Sequence, residues 1–250
     1  MDAIIVNELH KRFRLSHDAR GSLKTLLLSF RPKRYDDVHA LKGVSFTIKP
    51  GETLAIIGRN GSGKSTLLGI MARVYKPTSG NVTMNGRVSG LLELGAGFHP
   101  ELTGIENVYL NGSILGLSRR DITKRMDGMV AFAELDQFID APLRTYSNGM
   151  IMRLGFSIAI QVDPDILLVD EVLAVGDERF QRKCYDKVRE FQEMGRTIVF
   201  VSHDLKAVRE VATRAIWLDS GEIRADGEVG AVLGAYLRES ASAEVLADGR

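Results

Sequence analysis

Cysteine is almost absent. Cys184 stands alone in 250 residues, so no disulfide can close within the chain, and a reducing compartment is expected. An excess of one charge is absent too. Thirty-three Lys and Arg oppose 32 Asp and Glu, leaving a formal net charge of +1, which gives no reason to expect nucleic acid as a partner. Long apolar runs are missing. The most apolar stretch, residues 151–175, is interrupted by Asp163, Asp165, Asp170 and Glu171, so it is not read as a membrane span. The start, M-D-A-I-I-V-N-E-L, lacks a basic segment followed by a long apolar one, and no signal peptide is expected. Any work at a membrane must then be done by docking to something embedded there. What is present is 44% apolar and 26% charged, the mix of a globular protein with one substantial core and room for a smaller lobe.

The apolar residues follow two periods. Runs at residues 4–9, 44–48 and 53–57 read as strands, the last one buried. Between the first two lies a basic insertion, residues 11–34, where Leu23, Leu26, Leu27 and Phe30 fall at helical spacing among lysines and arginines. It reads either as a short helix packed on its own domain or as an amphipathic element against a membrane surface or partner. Residues 65–74 read as a helix and 81–94 as short strands broken by Asn85-Gly86. Residues 103–138 read as helix in several pieces, and 148–161 as another helix. Strands at 166–169, 197–201 and 214–218 then alternate with helices at 178–194, 205–212 and 228–237. That alternation predicts an α/β fold with a mostly parallel sheet and helices on both faces, the helical block 103–161 being an inserted lobe. No internal repeat is visible. Residues 239–250 are small and polar and are expected to fray.

Three strand ends carry chemistry. G-R-N-G-S-G-K-S-T (Gly58, Arg59, Asn60, Gly61, Ser62, Gly63, Lys64, Ser65, Thr66) matches G-x-x-x-x-G-K-[ST] in full and sits between a strand and a helix. Its glycines let the backbone approach phosphates, and its N–H groups point at them. Lys64 is expected to reach the β- and γ-phosphates of ATP, and the Ser65 hydroxyl to coordinate Mg2+. I-L-L-V-D-E ends an apolar strand on two acids. Asp170 is placed for the Mg2+ shell, and Glu171 to accept a proton from, or orient, the attacking water. V-F-V-S-H-D ends the next strand, where His203 is placed to contact the γ-phosphate. Together these point to a nucleotide hydrolase of P-loop type.

S-N-G, at Ser147, Asn148 and Gly149, leads straight into a helix. A Ser hydroxyl, a Gly N–H and a helix N-terminus together form a second anion site. A second site makes sense if it closes over the ATP of another copy. Here the chain resembles the ATP-binding cassette (ABC) family, whose signature is usually L-S-G-G-Q. Tyr146-Ser147-Asn148-Gly149-Met150 is similar to it, with Asn for the first Gly and Met for the Gln. The resemblance covers residues 4–237. It implies a P-loop nucleotide-binding domain at 1–238, with an antiparallel β subdomain beside the mostly parallel core and a helical subdomain inserted at about 103–161. A flexible tail at 239–250 follows. It also implies that Asp177, closing A-V-G-D, is the aspartate of the D-loop, and that His203 is the switch histidine. Glu93 stands near the position where the family usually carries a Gln that senses Mg2+ and the transport domain. An aromatic residue is expected to stack on adenine. Phe13, Tyr35 and His39 compete for that place, Tyr35 preceding A-L-K-G-V-S-F at a plausible distance.

The combination of I-I-G-R-N-G-S-G-K-S-T-L-L, L-L-E-L-G-A-G-F-H-P-E-L-T-G-x-E-N, Y-S-N-G-M and D-E-V-L-A-V-G-D narrows the resemblance. It is similar to the ATPases of bacterial polysaccharide exporters, those for O-antigen, teichoic acid and capsule. This implies a homodimer of ATPase subunits on the cytoplasmic face of the cell membrane, beneath a pair of integral-membrane subunits. The cargo would be a glycan, for O-antigen and teichoic acid carried on polyprenyl diphosphate. The C-terminal sugar-binding domain that some O-antigen members carry is not expected here. Three rival functions were weighed. A module that binds without hydrolysing is disfavoured by the presence of Lys64, Ser65, Asp170, Glu171 and His203. An ABC ATPase acting on ribosomes or DNA usually has a second cassette or a long coiled-coil insertion, and neither is visible. Only the resemblance separates glycan export from export of a drug or simple lipid.

Overall fold

Two sheets enclose one helix in the computed structural model, which describes residues 1–16, 35–91, 95, 97–170 and 176–248. β1 (Ile4–Ser16), β2 (Tyr35–Ile48) and β4 (Ser79–Met84) form an antiparallel sheet in the order β2-β1-β4. The second sheet runs β5 (Val88–Leu91), β6 (Ile166–Val169), β7 (Thr197–Val201), β3 (Thr53–Ile57), β8 (Arg214–Asp219), β9 (Glu222–Gly227). Its first five strands are parallel, and β9 returns antiparallel to β8.

The central strands β3, β6 and β7 are buried at every position because both faces are covered. In β3, Leu54 and Ile56 face a core shared with the antiparallel sheet and with α1 (Lys64–Met71). Ala55 and Ile57 face the opposite core, which is built with α4 (Asn148–Ala159), α5 (Glu178–Glu193), α6 (Leu205–Val211) and α7 (Val229–Asp248). α2 (Gly104–Ile114) and α3 (Arg119–Ala133) lie between β5 and β6 in the chain and share a third core with α4. α4 is apolar on two sides for that reason. Phe156 and Ala159 pack toward the sheet, while Leu154 and Ile158 pack among the helices.

Four elements differ from the sequence reading. β1 runs on through Ser16, into the segment read as an insertion over residues 11–34, and β2 begins at Tyr35, ahead of the strand read at 44–48. Arg12 and Arg14 on β1 both reach Asp37 on β2, at 3.2 and 3.4 Å, so part of that basic charge sits on a strand pair. The helical pattern of Leu23, Leu26, Leu27 and Phe30 lies outside the described residues. β9 was not foreseen. Its alternating exposure gives it little apolar signal, although the Ser220-Gly221 turn before it has positive φ at both residues (51° and 84°). α7 continues to Asp248 instead of ending at residue 237, because alanines, Glu and Leu in that stretch favour helix.

Candidate functional site

The turn from β3 into α1 is made by glycines at positive φ. Gly58, Gly61 and Gly63 have φ of 148°, 80° and 107°. A Cβ at Gly58 would lie 2.1 Å from the Leu218 carbonyl oxygen, and one at Gly63 would lie 2.4 Å from that of Ala40. The loop is therefore pressed onto β8 and β2. The β8–β9 turn holds it from the same side. Gly221 N–H donates to the Ser62 carbonyl at 2.9 Å, and Lys42 N–H donates to the Gly221 carbonyl at 2.9 Å. Sequence reasoning missed this support, and D-S-G at residues 219–221 was the turn signal that marks it.

The loop's chemistry suits an anion. Gly63 caps α1 without a side-chain hydrogen bond and the first turn holds no acid, so its N-terminal N–H groups and positive dipole end favour negative charge. Lys64 is buried and donates to the carbonyls of Gly58 at 2.8 Å and Arg59 at 3.0 Å. Its ammonium is thus held over the loop. Ser62 Oγ is buried without a hydrogen-bond partner among the described residues. Ser65 and Thr66 follow in the first turn of α1, and Asn60 lies at the exposed tip.

β3, β7 and β6 deliver their ends to one edge. Ile56 pairs with Val201, and Phe200 with Val169. Asp170 and His203 therefore leave the sheet beside the loop. β7 stands between β3 and β6, so Asp170 is offset from the loop by two strand spacings, about 10 Å. Asp170 is half-buried and His203 is exposed. His203 sits in a tight turn where Asp204 N–H donates to Ser202 Oγ at 3.0 Å and the Asp204 carboxylate caps α6. Glu171 and Glu93 lie outside the described residues. Among those described, no group of three or more metal-binding side chains forms. Ser65 and Asp170 remain the residues whose hard oxygens suit Mg2+.

The S-N-G turn, read from the sequence as a second anion site, is anchored on the helical core. Tyr146 is buried and its hydroxyl donates to the Phe138 carbonyl at 2.7 Å, which anchors the turn; burial pushes its pKa up. Gly104 leaves room for that hydroxyl, since a Cβ there would lie 2.5 Å from it. Ser147 and Asn148 emerge exposed just beyond. Ser147 caps α4, its Oγ accepting from Met150 N–H at 3.2 Å. A Cβ at Gly149 would meet nothing closer than 3.8 Å, so that face of the turn is open. Asp177 caps α5, accepting from Phe180 N–H at 2.9 Å, and that bond holds its carboxyl below the usual range.

E-L-T-G-I-E-N also gains a physical reason. Thr103 and Glu106 form a reciprocal cap on α2. Asn107 is fully buried and donates to the carbonyls of His99, Leu102 and Thr103 at 3.1, 3.0 and 2.9 Å. It accepts from His99 N–H at 2.7 Å. One side chain thus pins the loop that precedes α2.

The three aromatic candidates separate by register. The phosphate loop rests on Ala40 of β2. Phe13 pairs with Val38, and His39 with Arg12, both close to Ala40. Tyr35 pairs with Ser16 at the far end of the hairpin, about 17 Å from Ala40 at ~3.4 Å per residue. Phe13 packs edge-on to Tyr75 at 5.6 Å, and Lys11 Nζ lies 4.7 Å from its ring centre.

The profile of the ABC transporter family matches residues 41–174. The chain belongs to the ABC transporter family. The O-antigen export system ATP-binding protein RfbB of Klebsiella pneumoniae is 48% identical over 93% of this chain and 97% of its own length. RfbB of Myxococcus xanthus is 49% identical over 97% of this chain, and the chain spans 57% of that protein. The teichoic acids export ATP-binding protein TagH of Enterococcus faecalis is 43% identical over 91% of this chain, which spans 51% of it. Among solved structures, a dimeric MJ0796 described as a bacterial ABC transporter cassette matches with TM-score 0.72 at 25% identity, over 90% of this chain and 98% of that one. A post-hydrolysis dimer of MJ0796 bound to ADP and Pi matches with TM-score 0.73 at 24% identity over the same shares, which speaks for the fold. As an ABC ATPase, this chain places its phosphate loop on one core and its S-N-G turn on another. No helix among the described residues is long and apolar enough to cross a membrane.

Proposed function

We propose that this chain is the ATP-hydrolysing subunit of an exporter of lipid-linked polysaccharide. It works as a pair on the cytoplasmic face of the membrane, beneath a pair of membrane-embedded subunits. The observation that carries the ATP-driven pairing is the exposed, uncrowded Ser147 turn on α4. An anion site facing outward from the helical core has a use when it closes over nucleotide held by another copy. The glycan cargo rests on the likeness to relatives named for O-antigen and teichoic acid export.

In this mechanism Gly58 to Thr66 wrap the triphosphate, and Lys64 turns from its carbonyls to the β- and γ-phosphates. Ser65 and Asp170 would hold Mg2+, which would neutralise phosphate charge. Glu171 orients the attacking water, and His203 meets the γ-phosphate. Ser147, Asn148 and Gly149 of the second copy close the site, Asp177 lies along the contact, and Glu93 faces the membrane subunit. Phe13 takes the adenine in preference to Tyr35, because its register places it nearer the loop.

The test is depletion of the protein in cells, followed by lipid extraction. Polyprenyl-linked glycan accumulating on the cytoplasmic side is the expected result, and the trapped sugar names the cargo. ATP hydrolysis by the purified chain without such accumulation overturns the glycan assignment and leaves an exporter of another substrate. Loss of hydrolysis in Lys64→Ala with nucleotide binding unchanged would overturn the reading of the loop.

A further inference from the structure

Arg153 lies on α4 six residues after Ser147, less than two turns along the helix. Its side chain is 20% exposed and is held from every side. One guanidinium nitrogen donates to Asp177 Oδ2 at 2.8 Å. Another reaches Glu134 Oε2 at 3.5 Å. The cation lies 5.0 Å from the centre of the Phe180 ring. Gly176 makes the remaining wall. A Cβ there would lie 3.2 Å from Arg153 Nε, and its φ of +74° is one that L side chains avoid. Gly176 directly precedes Asp177, and the space it leaves is taken up by Arg153.

Glu134 is itself fixed. It ends α3 in a left-handed conformation, φ 59°. Lys183 of α5 donates to it at 2.9 Å and to the Phe132 carbonyl at 3.0 Å, and Arg179 lies 3.7 Å away. Two cations of α5 thus hold the carboxylate that aims Arg153 back at the start of α5.

We propose that Arg153 is a positioning residue for ATP hydrolysis, linking the helix that presents Ser147 to Asp177 so that the two surfaces offered to the second copy move as one. Glu134 aims its guanidinium and Gly176 gives it room. The proposal rests on the pairing of ATPase subunits described above. A planar guanidinium with both arms engaged transmits orientation, which a flexible ammonium does not. Partly exposed ion pairs contribute little stability, so the effect falls on geometry. Misplacement by ~1 Å at a reacting centre costs on the order of 100-fold in rate.

The test is steady-state ATP hydrolysis and thermal melting of the full chain, comparing wild type with Arg153→Ala, Arg153→Lys, Asp177→Asn and the Arg153→Ala/Asp177→Asn double variant. Asn at 177 still caps α5 while losing the charge. Arg153→Ala is expected to lower kcat about tenfold or more, with KM changing less than about threefold. The double variant is expected to be no slower than Arg153→Ala alone, since both changes cut one link. Arg153→Lys, which retains the charge but not the fork, is expected to lose kcat with its melting temperature unchanged, and it stands in if Arg153→Ala does not fold. Wild-type turnover with Arg153 and Asp177 effects that multiply, or with kcat unchanged, overturns the link alone. A wild type without turnover overturns the ATPase reading and the link together.

Discussion

Gly61 and Gly63 look alike in the sequence and differ in the structure. Both have positive φ, at 80° and 107°. Alanine at either position meets the left-handed penalty of roughly 1–2 kcal/mol. A Cβ at Gly61 finds nothing within 4 Å, whereas at Gly63 it falls 2.4 Å from the Ala40 carbonyl oxygen and 3.0 Å from Leu41 Cδ2. The backbone oxygen cannot rotate away, so overpacking adds about 1–3 kcal/mol at Gly63 alone. For a chain of this size, each kcal/mol moves the melting temperature by roughly 2–4 °C. Gly61→Ala is therefore expected to melt about 2–8 °C below wild type, and Gly63→Ala a further ~2–12 °C below that. Scanning calorimetry or fluorescence melting without nucleotide reads the difference free of any contact between a new methyl and a phosphate. Equal melting of the two variants would refute the claim that the loop is pressed onto β2.

Four further outcomes are expected. Glu171→Gln is expected to bind ATP, hydrolyse it at a small fraction of the wild-type rate and elute as a dimer; normal turnover removes Glu171 from its role. Phe13→Ala is expected to raise the KM for ATP about tenfold, as loss of a stacked ring worth ~1–3 kcal/mol implies, with Tyr35→Ala near wild type, and the reverse order would return the adenine to Tyr35. Asn107→Ala leaves His99 N–H without its buried acceptor, at a cost of about 1–3 kcal/mol, and melting unchanged from wild type counts against the pinned loop. Glu134 is held below the usual carboxylate range first by the Lys183 hydrogen bond. Its folded pKa lies below its unfolded one, so its contribution is present above the unfolded value and is lost as pH falls through the folded one. The melting gap between wild type and Glu134→Gln is expected to close on acidification, and a gap independent of pH contradicts the assignment.

Burial pushes the Cys184 thiol up to about 12, so the single cysteine is packing and not a nucleophile.

Much of the fold was legible because strand and helix periods are local. The apolar strands at 53–57, 166–169 and 197–201 are buried on both faces and are unmistakable as runs. The phosphate loop was legible because its chemistry is contiguous, nine residues between a strand and a helix. β9 was not, since an exposed edge strand carries little apolar pattern. The far ends of β1 and β2 were not, since their ladder is written in cross-strand pairs such as Arg12 with Asp37. Glu171 and Glu93 belong to the sequence reading alone.

By itself, the sequence nominated residues for phosphate chemistry, because Lys64, Ser65, Asp170 and His203 stand out by their types and their places at strand ends. Tertiary structure decided what those residues lean on. Ala40 on one stretch of chain, and Leu218 with Gly221 on another, back the loop from far away in sequence. Arg153, Glu134 and Gly176 meet around Asp177 only after three helices have packed. A contact between residues far apart in the chain leaves no period and no spacing, so only folding brings it into being.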